Sequence, residues 1–244
     1  MRALTTGRIM ILAILAFGCV ERKSNDKTAR LFESIVIFNA GYEDKASIAN
    51  LLNRINTCSP KVVGINFLFG NNRQVVDTIL SNSIKGSQNV VLTSIYQDET
   101  YFRSDTLFRS VAAGEGLIEL GVDDKEIVTK QMIFVSIADE LKWSFPMTVA
   151  SYYDADKSVV TMHNAVADKY YEINYESDED FKILAGNDST WDCSSIKDRI
   201  VLIGFLGPGS KDTYSIPGGE KKYATWILAS CIRDILNGDF KKVN

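Results

Sequence analysis

Short runs of β-branched and aromatic residues alternate along this chain with segments whose apolar positions recur every three or four residues. Ser34 to Phe38 (Ser-Ile-Val-Ile-Phe) has the length and composition of a buried strand, closed by Asn39-Ala40-Gly41. Asp44 is placed to cap the next segment, where Ile48, Leu51, Leu52 and Ile55 form one apolar helical stripe before Ser59-Pro60 stops it. Val62 to Phe69 predicts a second buried strand. Val75, Val76, Ile79 and Leu80 mark a second helix with Gly86 just beyond its end, and Asn89 to Ile95 a third strand. Strand, helix, strand, helix, strand implies a parallel core with right-handed crossovers.

The middle of the chain changes character. Thr106 to Ala113 has room for a short helix. Leu117 to Val122 and Ile127 to Ile137 flank the turn-like Asp123-Asp124-Lys125 and predict a hairpin inserted between the halves. Ser144-Phe145-Pro146 opens a helix running to about Tyr153, with proline in its first turn. Residues 154–169 are polar and aperiodic, and Tyr170 to Tyr175 predicts a strand. Arg199 to Leu206 (Arg-Ile-Val-Leu-Ile-Gly-Phe-Leu) is the strongest buried-strand pattern. Leu228, Cys231, Ile232 and Ile235 then share one face of a last helix that ends at Asn237-Gly238. The expected fold is α/β: a mixed, mainly parallel sheet flanked by helices, with a hairpin insertion in the middle, forming a single domain over residues 31–244.

The N-terminus follows a different pattern. Met1 to Arg8 carries two arginines and no acid, and Ile9 to Phe17 is an unbroken apolar run ended by Gly18-Cys19. That is a basic n-region followed by an h-region. From Ile9 to Val20 is 12 residues, about 18 Å of helix against about 30 Å of hydrocarbon, so the run is too short to span. Gly18-Cys19 resembles the lipobox of bacterial lipoproteins, in which the cysteine is acylated and becomes the mature N-terminus. Ala16 and Phe17 depart from the usual residues, and a plain secretory signal with an incidental cysteine is the alternative. Residues 1–18 are therefore expected to be a signal peptide, Cys19 the lipid attachment site, and residues 19–30 a polar tether. If Cys19 carries lipid, Cys58, Cys193 and Cys231 remain without metal spacing. At most one bridge can form, and Cys231 is expected as a buried small hydrophobe.

Composition removes several function classes. The 244 residues carry a net charge of −4 with 45% apolar side chains, which fits a globular protein and not a nucleic-acid binder. One histidine, His163, leaves few zinc or His-dependent nucleophilic arrangements, and no GxSxG accompanies it. Gly204-Phe-Leu-Gly207-Pro-Gly209-Ser-Lys211 follows a strong strand. It lacks GxxxxGK[ST], because Ser210 separates the glycine from Lys211 and Asp212 stands where a hydroxyl is needed. The acidic run Glu176 to Asp180 lacks calcium-loop spacing. No catalytic residue, metal or cofactor is expected.

Two blocks resemble a known family. Pro60-Lys-Val-Val-Gly64-Ile-Asn66-Phe-Leu-Phe69, then Asp77-Thr-Ile-Leu80 and Asn89-Val-Val-Leu92, are similar to a family pattern P-K-V-I-G-I-D-x-x-F … D-x-x-L … N-V-V-L. Asp198-Arg-Ile-Val-Leu-Ile-Gly204, Asp212, Pro217 and Tyr223-Ala-Thr-Trp-Ile-Leu-Ala229 are similar to G-K-I-V-L-I-G … D-x-x-x-x-P … Y-G-V-x-I-H-A. Together they resemble the CHASE domain, type 2, an extracytoplasmic sensory domain usually set ahead of membrane helices and kinase or cyclase outputs. Two polar positions differ: the family's strand Asp is Asn66 here, and its His before the helix Ala is Leu228. Asp212 keeps the family's Asp.

The resemblance implies a non-catalytic, lipid-anchored envelope protein in signal sensing, of the stand-alone lipoprotein-like kind, with a small molecule or an envelope protein as partner. A ligand in such a sheet sits beyond the C-terminal ends of the parallel strands. That makes Asn39, Asn66 and Asp212 the candidate ligand-binding residues; for the two asparagines, satisfying turn backbone is an equal alternative. The competing reading is an envelope scaffold or protein-interaction subunit without a small-molecule site, which predicts an exposed apolar patch instead.

Overall fold

The computed structural model describes residues 33–41, 44–72, 74–159, 170–175, 181–208, 210, 212–238 and 241–242. The signal segment, Cys19, the tether, His163, the acidic run at 176–180, Gly209 and Lys211 lie outside the described residues.

The first half builds the predicted order of strand, helix, strand, helix, strand, with the second strand ending at Ile65 rather than Phe69. Strand β1 (Ile35–Asn39) leads to helix α1 (Lys45–Asn56), capped by Asp44, whose carboxylate accepts from the Ser47 amide at 2.8 Å. Strand β2 (Val62–Ile65) follows, then α2 (Val75–Gly86) and β3 (Val90–Gln97). Strand β4 (Thr100–Arg103) turns back antiparallel on β3, and the short helix α3 (Thr106–Arg109) follows. The last strong strand, β12 (Ile200–Gly204), inserts between β1 and β2, parallel to both. Strand β11 (Lys182–Ala185) adds to the free side of β1. The main sheet runs β11-β1-β12-β2-β3-β4, with β5 (Gly114–Ile118) also on β3, and only β4 antiparallel.

Consecutive residues of these strands feed two separate cores, which is why they read as continuous apolar runs. Ile35, Ile37, Ile200 and Leu202 face α4 (Phe145–Tyr153) and α5 (Ala224–Asn237); Val36, Phe38, Val201 and Ile203 face α1 and α2. All eight are at most 1% exposed. Burial of each such side chain stabilises the fold by about 1.5–3 kcal/mol.

The middle of the chain is divided more finely than one hairpin. Gly114–Ile118 belongs to the main sheet. Strands β6 (Leu120–Val122) and β7 (Val128–Met132) pair antiparallel, and β10 (Tyr170–Glu172) and β15 (Lys241–Lys242) extend that pair to a four-stranded sheet. Phe134–Ile137 (β8) and Glu140–Trp143 (β9) make a separate ribbon, as do Thr213–Ser215 (β13) and Lys221–Tyr223 (β14).

Helix α2 turns a different face inward from the one its apolar residues predict. Val75 is 79% and Ile79 45% exposed, whereas Asp77, Leu80, Ser81 and Ile84 are buried. The cause is the Asp77 carboxylate. One oxygen pairs with Lys45 of α1, and the other accepts from the Asn72 amide at 3.0 Å and the Gln74 amide at 2.9 Å. Those bonds cap α2 and fix its rotation, because an unpaired buried carboxylate would be far costlier than two exposed aliphatic residues.

Cys58, at the end of α1, is bridged to Cys193 in the 3-10 turn Cys193–Ser195, and Cys231 is free and buried.

Candidate functional site at the carboxyl edge of the sheet

The C-terminal ends of β1, β12 and β2 lie side by side, and they gather the polar residues singled out above. Asn39 pairs in register with Gly204. Its side-chain oxygen accepts from the Gly41 amide at 3.0 Å and the Leu206 amide at 2.9 Å, while its Nδ2 donates to the Leu206 carbonyl at 3.0 Å. These three bonds tie the turn after β1 to the loop after β12. On the other side of β12, the Asn66 backbone amide donates to Ile203 O at 2.8 Å, and its Nδ2 donates to Thr225 Oγ1 at 3.0 Å.

Thr225 sits in the first turn of α5, over Gly204. A Cβ built on Gly204 would lie 2.0 Å from Thr225 Oγ1 and 2.9 Å from its Cβ, so only glycine admits the helix this close to the strand. The α5 N-cap, Tyr223, supplies no side-chain hydrogen bond. Instead the Asp212 carbonyl accepts from the Ala224 amide at 2.8 Å. Asp212 thus joins the group through its backbone. Its carboxylate is exposed and makes no hydrogen bond or ion pair with the described residues. It lies near Tyr214, whose phenol is pushed up first by burial and then by that negative charge.

The three residues are brought to one edge with unequal freedom. Asn39 is occupied by backbone, Asn66 holds the α5 hydroxyl, and Asp212 presents an uncommitted acceptor. Among the described residues no three His, Cys, Asp or Glu side chains are grouped to hold a metal.

Two cavities lie apart from these three side chains. One of about 300 Å³ is at the opposite edge, where Asn56, Ser59, Ser87 and Asn89 line it. Another, of about 180 Å³, opens between α1 and the chain leaving β11, with Ala40, Leu51, Arg54 and Gly186 among its walls. Neither is lined by Asn39, Asn66 or Asp212. Sequence reasoning passed over Arg54. It falls one turn from Leu51 on a helix whose pattern advertises only its apolar stripe.

Beyond these cavities, no described helix is long and apolar enough to cross a membrane. Among curated proteins and among solved structures nothing matches significantly. Residues 26–243 match the CHASE2 domain, nearly the whole chain, and the protein belongs to that extracytoplasmic sensory family.

Proposed function

We propose that this protein is a non-catalytic sensory domain, held at the cell envelope by lipid on Cys19, that binds a small molecule at the carboxyl edge of its sheet. Membership of the CHASE2 family carries the sensory part of the reading. The exposed, uncommitted Asp212 carboxylate beside the β12 end supports a ligand-facing group there, with Asn39 and Asn66 holding the loops that surround it. A carboxylate in that position accepts hydrogen bonds from a donor-rich or cationic ligand. The Cys58–Cys193 bridge suits an oxidising, extracytoplasmic compartment.

The test is a thermal-shift screen of parent and Asp212→Asn proteins against envelope metabolites. A ligand-facing role gives a compound that raises the parent's melting temperature and fails on the variant, whose own melting temperature is little changed. If no compound stabilises the parent and Asp212→Asn lowers its melting point, the small-molecule reading gives way to the scaffold one. The anchor is tested by intact mass: envelope-derived protein starts at Cys19 with a lipid adduct, and an unmodified chain starting elsewhere overturns it.

One observation favours the scaffold alternative. Val75 and Ile79 are exposed one turn apart on α2, and Leu68 in the preceding loop is 40% exposed. In that reading Ile79→Glu abolishes partner capture without lowering the melting temperature.

A further inference from the structure

The cleft beside α1 has the build of an anion site with an apolar floor. Ala40, Ile48 and Leu51 supply the floor, and all three are at least nine-tenths buried. Arg54 is the charged residue in its wall. Its Nη2 donates to the Asp188 carbonyl at 2.9 Å, and its guanidinium carbon lies 4.5 Å from the centre of the Trp191 ring. Those contacts fix the guanidinium plane. They leave Nε and Nη1 without a hydrogen bond to the described residues, and no described carboxylate forms an ion pair with the group. The rim adds neutral donors from Asn50 and Asn187, while the Ser47 hydroxyl is engaged by Asp44. No acidic side chain lines the cleft, and the nearby Asp188 carboxylate is held below its usual range first by Thr190 and in smaller part by the Arg54 charge.

The walls are fixed before any ligand arrives. The segment that follows β11 crosses α1 as a strap. At one end the Gly186 amide donates to Asn39 O at 2.8 Å, and at the other Cys193 is bonded to Cys58. A Cβ on Gly186 would lie 3.1 Å from both Asn39 O and Leu51 Cδ2, so the strap rests directly on the cleft floor. Between those ends, Trp191 packs edge-on against Phe38 of β1 with ring centres 5.1 Å apart.

We propose that this cleft binds a short-chain organic carboxylate, its head paired with Arg54 and its alkyl tail on Ala40, Ile48 and Leu51. Nη2 keeps its second N–H, and with Nε–H or an Nη1 N–H beside it this makes the paired donors that match a carboxylate's two oxygens. The volume of about 180 Å³ is room for about six water-sized groups at roughly 30 Å³ each, enough for a small carboxylate such as butyrate. An inorganic anion would leave the apolar floor uncovered. The position also conforms to the general rule for open parallel sheets, beyond the carboxyl ends of β1 and β11. This site stands apart from the Asp212 carboxylate, so the two can fail separately.

The experiment is a ligand-observed NMR titration of the full chain with sodium butyrate, with butyramide and inorganic phosphate as controls. Butyrate is expected to bind saturably, with both controls at least about tenfold weaker. Arg54→Gln is expected to weaken butyrate by at least about tenfold. Asn50→Asp, on the exposed rim one turn from Arg54, adds a carboxylate that repels the ligand and competes for the guanidinium; it is expected to weaken butyrate several-fold while melting like the parent. Asn50→Asp keeps the test decisive should Arg54→Gln fail to fold. Non-saturable binding, phosphate or butyramide binding as tightly as butyrate, or parental affinity in Asn50→Asp or in a folded Arg54→Gln each overturns the proposal. Loss of Asp212-dependent binding with butyrate binding intact would count against the Asp212 site alone.

Discussion

At the scale of single residues, much of the motif content turns out to be close packing. Gly64 and Gly204, the glycines of the two family-like blocks, are places where a side chain would collide. A Cβ at Gly64 would lie 2.7 Å from Phe145 Cζ and 2.8 Å from Leu202 Cδ2. Gly204→Ala is therefore expected to destabilise by about 1–3 kcal/mol through overpacking against Thr225. A denaturant titration of Gly204→Ala, Thr225→Ala and the pair separates packing from polarity. The double variant should recover part of the loss, because the Thr225 hydroxyl and methyl are what the new Cβ meets. Strictly additive losses would show that the close approach is not the cause. The same scale marks what the sequence left illegible. Asn39, Asn66 and Asp212 look alike as polar residues after strands. Only the structure separates an amide consumed by Leu206 from a carboxylate left open, since hydrogen-bond partners 167 residues away leave no local trace.

At the scale of elements, β1, α1, β3, β12 and α5 were legible because burial on both strand faces, or on one helical stripe, writes itself into composition. Isoleucine 203 tests that logic. It is fully buried in the core shared with α1 and α2. Ile203→Asp places an unpaired charge there, and a loss comparable to a domain's whole stability, about 5–15 kcal/mol, is expected. Parental melting of Ile203→Asp would refute the burial. Helix α2 is legible as an element but not in its facing, for the opposite reason: its orientation is set by one carboxylate, which apolar periodicity does not carry. Lys45 first, then the Gln74 and Asn72 amides, hold the Asp77 carboxyl below the usual range. A depressed folded-state value means that the stability it contributes is complete above the unfolded value, near about 3.9, and is lost as pH falls through the folded one. The melting-temperature gap between the parent and Asp77→Asn should accordingly be widest at neutral pH and close below about pH 4. A gap that is independent of pH would mean that the Lys45 pair does not set the helix.

For the whole molecule, the governing feature is the bridge between the end of α1 and the turn before β12. Three cysteines after Cys19 permitted at most one bridge, and spacing could not choose the pair, because pairing depends on where distant loops land. The fold brings Cys58 and Cys193 together across 135 residues and leaves Cys231 sealed in the core, where burial pushes its thiol well up. Closing a loop of that length restricts the unfolded chain by about 5 kcal/mol in the entropic picture, with about 2–5 kcal/mol typical on removal. The bridge also clamps the strap over α1, so its loss reaches beyond stability. Reduction, or the double variant Cys58→Ser with Cys193→Ser, should lower the melting temperature by about 5–20 °C at a conversion of about 2–4 °C per kcal/mol. Amide exchange should then quicken over residues 186–192 more than over β12, because the strap loses its anchor while the central strand keeps both neighbours. Thiol labelling without reductant supplies the control: Cys231 should react only after denaturant opens the core. An unchanged melting temperature on reduction would mean that the bridge does not stabilise the fold. Equal quickening over β12 and the strap would mean that it stabilises the fold without fixing the strap.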